Sequence, residues 1–170
     1  GNWIQLGGDI DAEAAGDNFG QAVSLSSDGL RVAIGANRND GIGLDRGHAR
    51  VYDLIAGSWT QVGIDLDGEA DGDNFGVSVC LSADGSRVAV GGNFNDENGI
   101  GAGHVRVFEE VGGTWIQIGA DMDGEASSDG SGASISLSAS GQVVAIGATG
   151  NDGNGSRSGH VRVYQEIGGT

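Results

Sequence analysis

The chain has 170 residues, among them 35 Gly, no Pro and no Lys, and its formal net charge is −16 at pH 7. A surface this acidic repels nucleic acid and anionic lipid, so we exclude nucleic acid as a partner and, because no apolar run reaches spanning length, membrane insertion too. Cys80 is the single cysteine. It excludes a disulfide within the chain, and we interpret it as a small, half-buried strand residue.

Several residue types recur every 56 positions along the whole chain. The recurring positions are Trp3, Trp59 and Trp115, then Gly20, Gly76 and Gly132, then His48, His104 and His160. A repeat longer than about 40 residues and rich in short strands is typical of propellers and related arrays. We therefore predict an all-β fold of three 56-residue repeats, each a propeller-type blade of four antiparallel strands.

The predicted elements begin with WIQLG at 3–7, which has the sequence of a blade's fourth strand. Residues 3–18 are then this unpaired strand plus an acidic link. The first full unit alternates apolar and polar residues with a period of two, as strands do. Its strands are predicted at 19–26, 31–36, 48–54 and 59–63, and SDG at 27–29 is a hairpin turn in which Gly supplies a positive φ.

The same pattern divides the one repeat domain, residues 1–170, into consecutive blades. Blade 1 spans residues 19–74, blade 2 spans 75–130, and blade 3 spans 131–170 and lacks its fourth strand. No stretch shows a sustained helical period, because glycines interrupt the one segment that is rich in helix formers.

The stretches FGQAVSLSSDGLRVAIGA and FGVSVCLSADGSRVAVGG resemble the FG-GAP repeats of integrin-type β-propellers. The unit as a whole is similar to tandem repeats of large proteins of marine microbes and algae. The resemblance covers essentially the whole chain and implies a propeller fold, but no particular activity. The FG-GAP family usually places a DxDxDG calcium loop between the first two strands. Here that place holds SSDG, SADG and SASG, so that site is not carried over. The Pro of GAP is absent as well, and Ser131, Ser140 and Val143 depart from the pattern.

Blade number raises the question of assembly, since closed propellers have about four to eight blades. We expect WIQLG of one copy to complete the last blade of another, because an unpaired sheet edge is a template for pairing. This contact is head-to-tail, and it yields a six-bladed ring of two copies or a filament. An excerpt of a longer repeat protein and an open monomer are the alternatives. The predicted assembly residues are Trp3, Ile4, Gln5, Leu6, His160, Val161, Arg162, Val163 and Tyr164.

The acidic links are the most suggestive motif for a ligand. Carboxylates at alternating positions offer the hard oxygens that Ca²⁺ requires, although the bidentate Glu of an EF-hand loop is absent. The alternative is a solvated link whose Asp residues cap turns or pair with Arg. The candidate calcium ligands are Asp9, Asp11, Glu13, Asp17, Asp65, Asp67, Glu69, Asp73, Asp121, Asp123, Glu125 and Asp129.

A His and an Arg two residues apart share one face of each third strand. One hypothesis is a repeated ligand or anion site. The hypothesis we favour is a buried structural pair satisfied by the acidic link of a neighbouring blade, because a buried Arg needs a carboxylate. Zinc is not expected, since the histidines lie on separate blades. The residues are His48, Arg50, His104, Arg106, His160 and Arg162.

Two further features repeat in every unit. The Asn-Asp pairs of the loops after the second strand are typical of Asx turns, although three similar loops with Phe94 nearby are also compatible with glycan binding. The repeated Trp is expected to pack between blades.

No nucleophile elbow, phosphate loop or cofactor fingerprint is present, so we predict that the chain is not an enzyme. Our first functional hypothesis is a structural or interaction module, extracellular or at the cell surface, whose partner is a further copy of itself. The alternative is a lectin-like or calcium-dependent glycan-binding module. No cofactor is expected other than Ca²⁺.

Overall fold

The computed structural model describes residues 1–168, and all its regular elements are β-strands. They form three antiparallel sheets. The strands are β1 Phe19–Leu25, β2 Arg31–Ala36, β3 His48–Ile55, β4 Ser58–Gln61, β5 Leu66–Asp67, β6 Phe75–Leu81, β7 Arg87–Gly92, β8 His104–Val111, β9 Thr114–Gln117, β10 Met122–Asp123, β11 Ser131–Leu137, β12 Val143–Ala148 and β13 His160–Gln165. The first sheet has the order β1-β2-β3-β4 with β5 beside β3, the second has β6-β7-β8 with β9 and β10 beside β8, and the third has β11-β12-β13.

The all-β prediction is therefore confirmed for the described residues. None of them lies in a helix of the length and hydropathy that crossing a membrane requires.

The first hairpin forms because its turn residues satisfy one another. The Asp28 carboxylate accepts hydrogen bonds from the Ser26 hydroxyl at 2.6 Å and from the Leu30 amide at 2.9 Å. Gly29 has a φ of 71°, which a side chain would resist. The second sheet repeats this turn at Asp84, whose pKa is lowered to about 2, chiefly by hydrogen bonds from Ser82 and Ser86.

Gly76 lets the second sheet approach the first at backbone distance. Its φ is 90°, and a Cβ at this position would lie 2.1 Å from the His48 carbonyl oxygen. The pairing of β6 with β7 shifts register between Phe75 and Ser78, as at a β-bulge. The Phe-Gly dipeptide at the start of β6 is thus the point where two sheets meet, which is also shown by the parallel bridge between Gly47 and Phe75.

The core lies between consecutive sheets and uses small residues on one side and larger ones on the other. Ala33, Ala49 and Val51 of the first sheet face Val79 and Leu81 of the second. The second and third sheets meet in the same way. Their cluster comprises Ala89, Val105, Val107, Val144 and Ile146, with Ile135, Leu137 and Tyr164 packed against it.

Two segments differ from the strand pattern of the sequence. Residues 3–7 form no strand within the described chain, because a strand requires a neighbour and none of the described residues pairs with this segment; its pairing with another copy stays a prediction. The acidic links, predicted as connections alone, instead contribute the short strands β5 and β10, which pair with the starts of β3 and β8. These pairings hold the links against the sheets and bring their carboxylates close to the buried His and Arg side chains.

Phe75 allows a test of the sheet-to-sheet core, because Phe19 occupies the same position one repeat earlier. Phe75 is fully buried, with the Arg106 guanidinium 4.2 Å from its ring centroid, whereas Phe19 is partly exposed. We expect Phe75→Ala to lower the free energy of unfolding by about 3–5 kcal/mol and Phe19→Ala by clearly less. Denaturant titration measures both losses. Equal losses would show that burial between sheets is not what Phe75 contributes.

Candidate functional site

The outer face of the first sheet, here called the first end face, is a partly uncovered copy of an internal interface. It consists of Val23, Leu25, Val32, Ile34 and Trp59. Val32 and Ile34 are already buried in a small cluster that includes Trp59, and the exposed part is Val23 and Leu25. Val23 is 65% exposed, whereas Val79, its equivalent one repeat later, is only 8% exposed. Leu25 and Leu81 differ in the same way. The first sheet therefore presents the face that the second sheet buries against its predecessor.

The outer face of the third sheet, here called the second end face, is the complementary surface. It consists of Ala145, Val161 and Val163, which share one side of paired strands. Val163 is 66% exposed, whereas Val107, its equivalent in the second sheet, is 8% exposed. Val161 is equally open. The two end faces together reproduce the two sides of the contact that already exists twice inside the chain.

Polar contacts between consecutive sheets also repeat. Arg31 donates to the Gly85 carbonyl at 3.0 Å, and Arg87 donates to the Gly141 carbonyl at 3.4 Å. Backbone amides at the hairpin turns add a second contact, from Ser27 to Ala83 at 2.8 Å and from Ala83 to Ala139 at 2.9 Å. Each sheet is thus held in one register against the next.

The second sheet's Arg lies against the acidic link that precedes the sheet, and its His lies closest to the acidic link that follows it. Arg106 donates to the Asp67 carbonyl at 2.5 Å and lies 3.4 Å from the Glu69 carboxylate. His104 is fully buried, and its Nδ1 is 3.2 Å from the Asp121 carboxylate. Burial is the main cause of the lowered pKa of His104, and the positive charge of Arg106 is the second. The imidazole is therefore neutral at pH 7.

The other two pairs vary this arrangement. Arg50 makes a bidentate ion pair with Asp65, at 2.7 Å for both contacts, and a further one with Glu13. The hydrogen bond to Asp65 is the main cause of the raised pKa of Arg50. Arg162 donates to the Asp123 carbonyl and lies 3.5 Å from Glu125.

The last Asp of each acidic link closes that link on itself. Its carboxylate is buried and accepts hydrogen bonds from backbone amides a few residues earlier, as from Glu69 and Ala70 to Asp73. The same oxygen accepts from the side-chain amide of a buried Asn in the following loop. The three Asp–Asn pairs are Asp17 with Asn39 at 3.2 Å, Asp73 with Asn95 at 3.2 Å, and Asp129 with Asn151 at 3.0 Å.

Several of the other predicted calcium ligands repeat one arrangement around the histidines. Glu13 and Asp65 lie beside His48, with ligand atoms of all three within 4.8 Å of one another. The equivalent sets are Glu69 and Asp121 beside His104, and Glu125 and Asp129 beside His160. Asp11 is exposed and belongs to none of these sets.

Glu97 joins two of these residues and was not predicted. Glu97, Asp121 and Asp123 each offer an oxygen within 4.8 Å of the others, and we call this set the carboxylate cluster. Burial is the main cause of the raised pKa of Asp123, and the negative charges of Glu97 and Asp121 raise it further. Glu97 could not be found from the repeat, because Gly41 and Gly153 occupy its equivalent positions. Calcium binding stays a prediction, and this cluster is the place where the geometry favours it.

A polar cleft opens between the loops of the second and third sheets. Its volume is about 490 Å³. Phe94 is half exposed at its wall, beside the buried side-chain oxygen Oδ1 of Asn93, which has no hydrogen-bond partner among the described residues. Asp71, Asp96 and Arg157 supply charges of both signs.

Comparison with known proteins supports the fold. Residues 11–52 match the family model of the FG-GAP repeat, so the resemblance is confirmed there. No curated protein matches the chain. The periplasmic gluconolactonase of Pseudomonas aeruginosa is similar in structure, with 19% identity, 85% of this chain and 38% of that chain covered, and a TM-score of 0.56. Hydrazine synthase of Kuenenia stuttgartiensis gives 13% identity, coverage of 85% and 33%, and a TM-score of 0.48. The propeller-type fold class is confirmed.

The same comparison corrects the prediction that the chain is not an enzyme. The gluconolactonase that shares the fold is an enzyme, so the fold is one that supports catalysis. The sequence argument failed because it required recognisable local motifs. In folds of this kind, functional side chains come from loops that are far apart in sequence.

From the carboxylate cluster we predict that Glu97→Gln raises the melting midpoint without calcium and abolishes the stabilisation by calcium. Asp123 has a higher pKa in the folded chain than in the unfolded chain. Its contribution to the free energy of unfolding therefore falls as the pH rises from the unfolded pKa through the folded pKa. Removing the Glu97 charge should therefore raise the melting midpoint in chelator at pH 7, by about 2–4 °C for ~1 kcal/mol. Ca²⁺ should raise the midpoint of the wild type and leave Glu97→Gln unchanged.

Asp11→Asn is the matched control, because Asp11 is the repeat equivalent of Asp123 but is exposed. We expect its calcium response to equal that of the wild type. A wild-type midpoint that is the same in Ca²⁺ and in chelator would remove calcium from this cluster.

Proposed function

We propose that this FG-GAP-type β-propeller module binds further copies of itself head to tail. The second end face of one copy would cover the first end face of the next. The observation that carries the proposal is the contrast between equivalent residues, since Val23 and Val163 are about two-thirds exposed where Val79 and Val107 are buried. Each surface has its natural partner on the opposite end of the molecule.

The exposed apolar side chains supply the driving force. Fully burying a Val or Leu side chain stabilises by roughly 1.5–3 kcal/mol, and each contact would cover Val23, Leu25, Val161 and Val163. Association costs several kcal/mol in lost freedom of motion, so the net affinity is moderate.

One polar feature distinguishes the contact between copies from the contacts within one copy. The third sheet carries Val143 where the first two sheets carry Arg31 and Arg87. The contact between copies therefore has no arginine reaching the next hairpin turn. We expect it to be weaker than the internal contacts and to dissociate on dilution.

The contact is heterologous, so it closes into a ring or continues as a filament, depending on the rotation per copy. We place this assembly outside the cell or at its surface. An acidic surface that stays soluble in salt-containing water supports that location.

Complementation of two blocked variants tests the assembly. Leu25→Glu blocks the first end face and Val163→Glu blocks the second, and both sites are exposed enough for the chain to fold. We expect each variant alone to be a 17.0 kDa monomer by light scattering, and their mixture to form a dimer through the one intact pair of faces. The wild type should grow beyond a dimer as its concentration rises, unless two copies close a ring.

Ile42→Glu is the control, because Ile42 is a similarly exposed apolar residue in a loop away from both end faces. It should assemble like the wild type. A wild type that stays monomeric at all concentrations would contradict self-assembly and would leave the end faces to further repeats of a longer chain.

The polar cleft supports a second candidate, carbohydrate binding. An exposed aromatic ring with convergent polar groups is the usual composition of a site for a small polar ligand, and Phe94, Asp96 and Arg157 provide it. Sugar hydroxyls would pair with the carboxylates of Asp71 and Asp96.

A glycan array followed by titration tests this candidate. We expect Phe94→Ala to weaken binding of a positive glycan by about tenfold, the loss typical of one aromatic contact. Leu44→Ala should have no effect, because Leu44 is exposed in the corresponding loop of the first sheet. An array with no positive glycan would remove carbohydrate binding.

A further inference from the structure

A pocket lies between the second and third sheets, next to the free edge of β13. Its volume is about 210 Å³, and its lining is largely apolar. The residues that form it are Val107, Ile118, Gly119, Leu137, Val144 and Tyr164.

The same place between the first and second sheets is filled by Trp115. The Trp115 indole Nε1 donates to the Val62 carbonyl at 2.9 Å, and a Cβ on Gly63 would lie 2.9 Å from its Cδ1. Arg31 lies 5.8 Å from the centroid of the indole ring. Trp115 is buried as a result.

One repeat earlier, Trp59 makes the same contacts with the first segment of the chain. Its Nε1 donates to the Leu6 carbonyl at 2.9 Å, and a Cβ on Gly7 would lie 2.9 Å from its Cδ1. Gly119 is the third member of the series, and a Cβ there would meet none of the described atoms within 4 Å. The pocket beside Gly119 is therefore shaped for an indole that the described chain does not place there.

Trp3 is the one of the three repeated tryptophans whose indole packs against no other part of the described chain. It is fully exposed, and the segment WIQLG that carries it matches WTQVG and WIQIG around the two packed tryptophans. Trp3 cannot reach the pocket of its own chain. Leu6 is held at the first sheet by Trp59, three residues extend by at most about 10 Å, and the third sheet lies two sheet spacings of about 10 Å away.

We infer that Trp3 of a second copy inserts into this pocket, with residues 3–6 of that copy pairing along β13. This inference rests on the proposed head-to-tail assembly and names its anchor. Trp59 pairs opposite Leu54, and Trp115 pairs opposite Glu110. In the equivalent register, Trp3 would pair opposite Glu166, and its indole Nε1 would donate a hydrogen bond to the Ile118 carbonyl.

Charge complementarity supports the same register. It brings Asp9 of the second copy next to His160 and Arg162, as Asp65 lies beside Arg50 and as Asp121 lies beside His104. In the described chain, His160 and Arg162 have only Glu125 as an ion-pair partner, at 3.8 Å and 3.5 Å. The second copy would supply the carboxylate that the other two sheets already have.

The test separates the pocket from the end faces by using a peptide. The protein is the double variant Trp3→Ala/Leu25→Glu, which removes its own Trp3 and blocks stacking. The probe is a synthetic peptide of residues 1–8 with 5-fluorotryptophan at position 3, observed by fluorine NMR. We expect saturable binding and a shifted fluorine resonance, and no competition by the same peptide with Ala at position 3.

Gly119→Ala, added to that variant, should weaken peptide binding by about tenfold or more, because its Cβ occupies the position of the indole edge. Gly112→Ala is the matched control, since Gly112 also has a positive φ, 61° against 74°, and open space around it. It should leave peptide binding unchanged.

The outcomes distinguish the two proposals. Peptide binding by a protein whose wild type remains monomeric would show that the pocket accepts an indole, but it would contradict both the assembly and the insertion of Trp3 from a second copy. A wild type that assembles, with no peptide binding and with Trp3→Ala assembling equally well, overturns the inference about Trp3 and leaves stacking of the end faces in place.

Discussion

The structure depends on the contact between consecutive sheets. Small side chains such as Ala33 and Ala49 on one sheet receive Val79 and Leu81 of the next, and Gly76 brings the two backbones within direct contact. No single sheet can bury its apolar faces alone, so each one gains its stability from its neighbours. The same dependence leaves an uncovered face at each end of the described chain.

Buried polar groups set the register of that contact. His104 and Arg106 are enclosed between two sheets and meet the carboxylates and carbonyls of the acidic links. Buried ion pairs add little net stability, because the charges must first lose their water. A slipped arrangement would instead bury the Arg106 charge without the Asp67 carbonyl and the Glu69 carboxylate that it meets here. The short strands β5 and β10 hold the links in the required position.

The end faces and the indole pocket are consequences of repetition. A contact that occurs twice inside the chain has all its components present a third time, divided between the two ends. The gluconolactonase shows that such a fold also supports catalysis, in a protein of which this chain covers 38%.

The sequence by itself determined the all-β architecture, most strand positions and the resemblance to FG-GAP repeats, because period-two patterning, turn residues and the 56-residue spacing are local signals. It also placed the His and Arg residues on one strand face. Local signals do not reach features that a partner decides. Residues 3–7 have a strand sequence but form no strand within the described chain, and Glu97 joins Asp121 and Asp123 although its repeat equivalents are glycines.

Only the tertiary structure decided which copy of a repeated residue is buried. Trp3, Trp59 and Trp115 have near-identical neighbours in sequence, yet Trp115 is buried, Trp59 is half buried and Trp3 is fully exposed. The physical reason is that burial depends on an adjacent sheet, and the number of adjacent sheets differs between the middle of an array and its ends.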